Sequence, residues 1–256
     1  MNFFFGIKNK YLSCTLTIPK FQNNGLKKND YKVYAADIKN QKWCIEKSNY
    51  IENDDFFILK NSEIENNKIF FLASDIEVKK KYNNNFSKLV NLNNFTDTSP
   101  SAFRANLRVN LKNGGFSSYQ SEYPFNMILK KGNILSPLST LLDQKAEKNF
   151  IFFKNIYFKP VNEKAYLYFI DIKEKKILAT HEIKSNDLNE INVDYNFIKN
   201  NIYIFTKGCI GIPLFISINN NAISFEHTHP PHHYILSDDK FKIISNLKND
   251  VDKIFS

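Results

Sequence analysis

A mainly β chain, made of two tandem, internally duplicated β-sandwich-like halves and closed by a C-terminal amphipathic helix, is what three features of this sequence predict. Short runs rich in Phe, Ile and Tyr alternate apolar with polar residues and are separated by Asn- and Gly-containing turns. Two separate motifs recur in one register: Tyr34, Asp37, Ile38 and Lys39 return as Tyr168, Asp171, Ile172 and Lys173, and 64–71 returns as 198–205, both at an offset of 134. Helical spacing of apolar residues is confined to the tail. The halves are expected at 1–135 and 136–256, and a duplicated barrel is the rival architecture.

Composition narrows the function classes. At 256 residues, 43% hydrophobic and 15% aromatic, the chain has ample material for a core and does not read as disordered. The net charge of +9 comes from 35 basic residues of which only Arg104 and Arg108 are arginines. With abundant Asn, Ile and Phe and seven glycines, that usage reads as the footprint of an AT-rich genome. The lysines are scattered, without a basic block, which argues against nucleic acid as a partner. Cys14, Cys44 and Cys209 cannot all pair and form no C-x-x-C, so neither a disulfide framework nor a thiol-metal site is expected. Thiols fit a reducing compartment, no run approaches the ~18 apolar residues of a spanning helix, and a cytoplasmic protein without a membrane partner is the expectation.

Along the chain, Leu12, Cys14, Leu16 and Ile18 share one side of a strand that Pro19 ends. After the turn Asn23-Asn24-Gly25, the strand Val33–Lys39 turns at Asn40-Gln41-Lys42 and returns through Trp43-Cys44-Ile45. Ile69–Leu72 is a further strand. Phe103, Ala105, Leu107 and Val109 then face one way and Arg104, Asn106, Arg108 and Asn110 the other, which opens a polar hairpin over 103–129. Asn113-Gly114-Gly115 is its turn, and 125–129 is expected to resume a buried strand. The polar segment 139–148 joins the halves.

In the second half Phe150–Phe153 and Ile156–Phe158 are apolar strands, and Gly208–Pro213, with two glycines, suits a bulge or a close backbone approach. Leu214–Ile218, the turn Asn219-Asn220-Asn221 and a histidine-bearing strand form a hairpin. Phe241, Ile244, Leu247, Val251 and Ile254 mark a helix over 239–255, capped near Ser237-Asp238-Asp239, whose apolar stripe packs on the sheet or joins a second copy in a homo-oligomer.

Chemistry concentrates in two places. His227, His229, His232 and His233 fall within seven positions, and His227 and His229 share a strand face with Ile223 and Phe225 until Pro230 and Pro231 stop the strand. A His-x-His pair with a third ligand from His232 or His233 suits a divalent transition metal (zinc, nickel or iron) with a position left open. The matching part of the first half, Phe95–Pro100, keeps Phe, Thr and Pro but has no histidine. The second place is the arginine strand. In a chain that otherwise uses lysine, Arg104 and Arg108, ~13 Å apart by strand rise, offer planar bidentate donors for an anionic group. Asn106, Tyr119 and Tyr123 beside them would line a site for a polar ligand.

Two functional readings compete. The first is a non-catalytic binding or scaffold module for a small polar, carbohydrate-like or anionic ligand, held by Arg104, Arg108, Asn106, Tyr119 and Tyr123. The alternative is a metal-dependent hydrolase or isomerase acting on an anionic or sugar substrate. In it the histidine cluster holds the metal, Glu226 or Glu122 is the general base, and Arg104 orients the substrate.

Overall fold

The computed structural model describes residues 2–21, 25–82, 89–90, 104–129, 131–227 and 236–255. Among these the chain is mainly β, with several antiparallel sheets and a C-terminal helix. The first half runs β1 (Asn2–Phe3), β2 (Leu12–Pro19), β3 (Tyr31–Lys39), β4 (Lys42–Lys47), β5 (Ile51–Glu52), β6 (Phe56–Leu59), β7 (Ile69–Ser74), α1 (Asp75–Tyr82), β8 (Leu89–Val90), β9 (Ala105–Leu111), β10 (Phe116–Ser121) and β11 (Tyr123–Pro124). The second runs β12 (Ile134–Pro137), β13 (Lys148–Lys154), β14 (Lys164–Asp171), β15 (Lys176–Lys184), β16 (Leu188–Asn192), β17 (Ile202–Thr206), β18 (Ile212–Asn219), β19 (Ala222–His227) and α2 (Lys240–Ile254).

Four larger sheets result. Sheet I is β10-β9-β2-β6-β5, sheet II is β7-β3-β4-β8, sheet III is β16-β13-β18-β19 and sheet IV is β12-β17-β14-β15. The order β6-β2-β9-β10 in sheet I therefore recurs in sheet III, and β7-β3-β4 recurs in sheet IV as β17-β14-β15. Register recurs too. Val33, Tyr34, Ala35 and Ala36 oppose Leu72, Phe71, Phe70 and Ile69, and the residues 134 positions on, Leu167, Tyr168, Phe169 and Ile170, oppose Thr206, Phe205, Ile204 and Tyr203. The N-terminus completes the parallel, since Phe4 bridges to Phe70 beside β7 much as β12 lies beside β17.

The sheets differ in what covers them. In β2, Leu12, Cys14, Leu16 and Ile18 are buried while Ser13, Thr15 and Thr17 are half-buried, the signature of a sheet with one core face. The central strands of sheet III, β13 and β18, are buried on both faces, as their apolar runs Phe150–Phe153 and Leu214–Ile216 require. Phe150, Phe152, Leu214, Ile216 and Phe225 belong to one large core with Leu16, Leu107, Trp43 and Phe71 of the first half, whereas Ile151, Phe153 and Phe215 pack with Leu167, Phe169 and Ile204 of sheet IV. The expected boundary at 135 falls inside β12, which pairs with β17.

Three local expectations change. Residues Phe125–Leu129 form a 3-10 turn with only Ile128 buried, directly after Pro124, which has no N–H to carry the ladder further and ends β11. A helix precedes the tail: Ser74 and Glu77 close a reciprocal capping box that starts α1. The glycine stretch gives the close approach, not the bulge. A Cβ on Gly211 would meet the Phe153 ring at 2.4 Å and the Lys154 carbonyl at 2.6 Å, while the register shift lies at Phe169/Ile170. The tail helix packs its last turns on sheet IV through Val251, Ile254 and Phe255 against Ile170, Phe205, Tyr168 and Tyr203, and leaves Phe241 71% exposed. Among the described residues no helix is long and apolar enough to cross a membrane.

Candidate functional site

Both hairpins expected from sequence are present. β9 and β10 pair with Arg108 opposite Ser118 and Asn106 opposite Gln120, and β18 and β19 pair with Phe225 opposite Ile216 and His227 opposite Leu214. Alternation puts Asn106 and Arg108 on the exposed face of sheet I and His227 on the same face as Phe225, toward the large core. The two arginines have separate neighbours. The Arg108 guanidinium lies 3.5 Å from the centroid of the Phe116 ring and its Nε donates to Asn110 Oδ1 at 3.0 Å. Arg104 reaches Glu122, Nε to Oε2 3.6 Å. The two guanidiniums are thus each engaged within the protein and do not converge on a common point.

Glu122 sits where sheets I and III approach each other. It also accepts from Asn2 Nδ2 at 3.4 Å, and burial pushes its carboxyl above the usual range while Arg104 pulls it back down. Tyr119, three residues earlier, has its hydroxyl pushed up by burial and by the Glu122 charge. The Tyr119 ring lies against Phe225 at 5.3 Å and against the His227 imidazole at 4.3 Å, centroid to centroid. Arg104, Glu122, Tyr119 and His227 therefore form one contiguous neighbourhood spanning both halves. Glu226 does not join it. It opposes Phe215 on the other face of β19 and is exposed, as strand alternation demands. Tyr123 is fully buried, paired with Phe3 and donating to the Ile210 carbonyl at 3.5 Å, so it supports the core and cannot line a ligand site. His229, His232, His233 and the stretch 95–100 lie outside the described residues. Among the described residues no three His, Cys, Asp or Glu side chains are grouped to hold a metal.

No protein-family model and no curated protein matches this chain.

A different site emerges where the two halves meet. The β9–β10 turn and the β18–β19 turn, which correspond in strand order, lie against each other: the Gly115 N–H donates to the Asn221 carbonyl at 2.7 Å. A Cβ on Gly114 would stand 2.8 Å from that same oxygen, so the contact needs glycine there. Beside this junction is a cleft of about 240 Å³. Tyr11 forms one wall, packed on Phe150 at 5.9 Å, and two ammonium groups approach its ring, Lys10 at 4.9 Å and Lys148 at 5.1 Å from the centroid. Lys112 adds a third positive charge, and Asn113 and Asn221 add amides at the rim. The acid lining the cleft, Glu147, accepts the Asn220 N–H at 3.2 Å.

Sequence reasoning missed this cleft because its residues come from four strand ends. Lys10-Tyr11, Lys112-Asn113, Glu147-Lys148 and Asn220-Asn221 each look like an ordinary solvated turn. The available signal was the correspondence of the two hairpin turns, which a repeat can bring together about a pseudo-twofold axis.

Proposed function

We propose that the protein is a non-catalytic binding module for a small anionic ligand, such as a phosphate or a sugar phosphate, held in the cleft between the two hairpin turns. The observation that carries this reading is the convergence of Lys10 and Lys148 on the single ring of Tyr11, with Lys112 lining the same cleft. Like charges brought together repel, and a bound anion would turn that repulsion into charge-assisted hydrogen bonds. Tyr11 offers a flat apolar wall against which a sugar or other ring could lie, and the rim amides of Asn113 and Asn221 suit hydroxyl or phosphate oxygens. The three cysteines, all buried thiols, support a reducing, cytoplasmic setting.

The test is thermal unfolding with inorganic pyrophosphate and with a hexose phosphate as probes. A ligand that binds only the folded state raises stability by about 2.7 kcal/mol at a hundredfold excess over Kd. The expected result is a concentration-dependent rise in Tm that the Lys10→Gln, Lys148→Gln double variant loses. A flat response to both probes, or an equal response in the double variant, would dismiss the reading.

A further inference from the structure

A second cleft, of about 280 Å³, opens beside β14 and the connection from β17 to β18; it shares no lining residue with the cleft at the hairpin turns and is independent of the function proposed there. Tyr166 and Tyr168, two apart on β14 and so on one strand face, form its wall with ring centroids 6.3 Å apart. Lys131, Lys164 and Lys207 line it, against the one acid Glu163, together with the buried Cys209. Lys164 is held by Glu182 at 3.0 Å, and the Lys207 ammonium lies 5.6 Å from the Phe255 ring at the end of α2.

The first half contains the matching place, already filled. Because β3–β7 and β14–β17 share one register, Lys32 and Tyr34 correspond to Tyr166 and Tyr168, and the same 134 offset in sequence carries Asp75 to Cys209, three residues past the end of β17. In the first half Asp75, the first residue of α1, accepts hydrogen bonds from the Tyr34 hydroxyl and the Lys32 ammonium. Those two donors hold its carboxyl below the usual range. Glu77 of the same helix accepts from the Tyr31 hydroxyl at 3.4 Å. A tyrosine-and-lysine wall is thus covered by two carboxylates of the chain itself. In the second half the chain passes from β17 to β18 without a helix. The position of Asp75 is a buried cysteine, that of Asp30 is Lys164, and that of Ala73 is Lys207. Two acids have been exchanged for a thiol and a lysine, a further lysine has been added, and the tyrosine that binds the acid has been kept.

The geometry points to a binding site in this cleft for a small dicarboxylate, one acid group of which takes the place that Asp75 fills in the first half while the other lies among the lysines that line the cleft. Tyr168 donates to one carboxylate as Tyr34 does to Asp75. Lys207 and Lys164 supply the charge that Lys32 supplies there, and Tyr166 closes over the carbon chain. Charge-assisted bonds of this kind are roughly twice as strong as neutral ones, and the aromatic wall partly excludes water from them.

Isothermal titration and amide NMR with succinate and glutarate test this, with succinamide as the uncharged control. The expected result is saturable binding of a dicarboxylate, amide shifts centred on Lys207–Cys209 and β14, and no response to succinamide. Lys207→Gln should weaken binding about tenfold, the loss of one charge-assisted bond, and Tyr168→Phe, which keeps the ring packing on Phe255, should weaken it measurably. Cys209→Asp, which restores a carboxylate at the position of Asp75, should compete with the ligand and abolish binding. If that variant does not fold, the other two decide. No saturable binding of either acid up to about 10 mM, or binding that survives both Lys207→Gln and Tyr168→Phe, overturns the assignment. Binding lost only in the Lys10→Gln, Lys148→Gln double variant would move the acid to the cleft at the hairpin turns and overturn it equally.

Discussion

The ring of Tyr119 and the imidazole of His227 lie 4.3 Å apart, centroid to centroid, across the join between the two halves. One belongs to the last strand of sheet I and the other to the last strand of sheet III, so this contact and the neighbouring one to Phe225 help fix the angle at which the sheets meet. Truncating Tyr119 to alanine removes both ring contacts from a largely enclosed place. The expected cost is about 3 kcal/mol in urea unfolding. Tyr119→Phe keeps the rings and is expected within about 0.5 kcal/mol of the parent.

Glu122 gives a pH signature at the same corner. Burial raises its folded pKa above the unfolded value and Arg104 lowers it. An acid shifted upward adds stability below its unfolded pKa and loses it as pH rises through the folded one. Glu122→Gln should therefore flatten the stability profile above pH 4.5. Arg104→Gln should move the Glu122 carboxyl titration, followed by NMR, further upward. An unchanged titration would mean that the contact at 3.6 Å has no electrostatic weight.

Lys154 sets a second window. It is 0% exposed, donates to the Asn66 carbonyl at 3.0 Å, and burial brings it from 10.5 down to about 8. Below pH 8 its charge costs on the order of 3 kcal/mol. The unfolded chain holds this proton more tightly, so stability rises with pH from about 8, by up to about 1.4 kcal/mol per unit. Above 9 the rise is opposed by Cys14 and Cys209, pushed up to about 11 by burial, which lose stability as pH climbs through their folded values. A stability maximum near pH 9 is expected, and Lys154→Met should erase the rising limb. A profile unchanged in the variant would refute this account.

His181 acts on the acid side. Its ring packs on Phe169 at 4.9 Å, its Nε2 is buried without a hydrogen bond among the described residues, and burial lowers its pKa. A base shifted downward withdraws stability as pH falls through the unfolded value of about 6.5. His181→Leu should leave the protein more resistant to unfolding at pH 5 than at pH 8 relative to the parent.

What the sequence reveals and what it withholds divide along physical lines. Alternation in 12–18, 105–109 and 222–227 marked strands and their faces, because a half-buried strand must alternate. The turns at Asn40-Gln41 and Asn220 were legible from residue types that tolerate positive φ, and those residues adopt it at 50°, 57° and 49°. The apolar runs Phe150–Phe153 and Leu214–Ile216 marked strands as well, and their lack of alternation is what a strand covered on both sides shows. The separation of Glu226 from His227 was likewise fixed by period two. Helix α1 was not legible although Ser74 and Glu77 carry a capping box, since eight residues without an apolar stripe leave no periodic signal. Both clefts were hidden for a different reason. Their walls are set by which turn meets which and by the path the chain takes out of β17, and no local pattern encodes either.

The double burial of the central strands of sheet III also constrains the order in which this protein can be made. Leu16, Leu107 and Trp43 leave the ribosome before Phe150, Phe152, Leu214 and Ile216, the side chains with which they share a core. Until the second half is synthesised, the nascent first half presents an apolar surface with nothing against it, a state that chaperones recognise and that invites aggregation. A chain truncated between the halves should therefore be insoluble when expressed alone and recoverable only when the second half is co-expressed, because neither segment carries a complete interior.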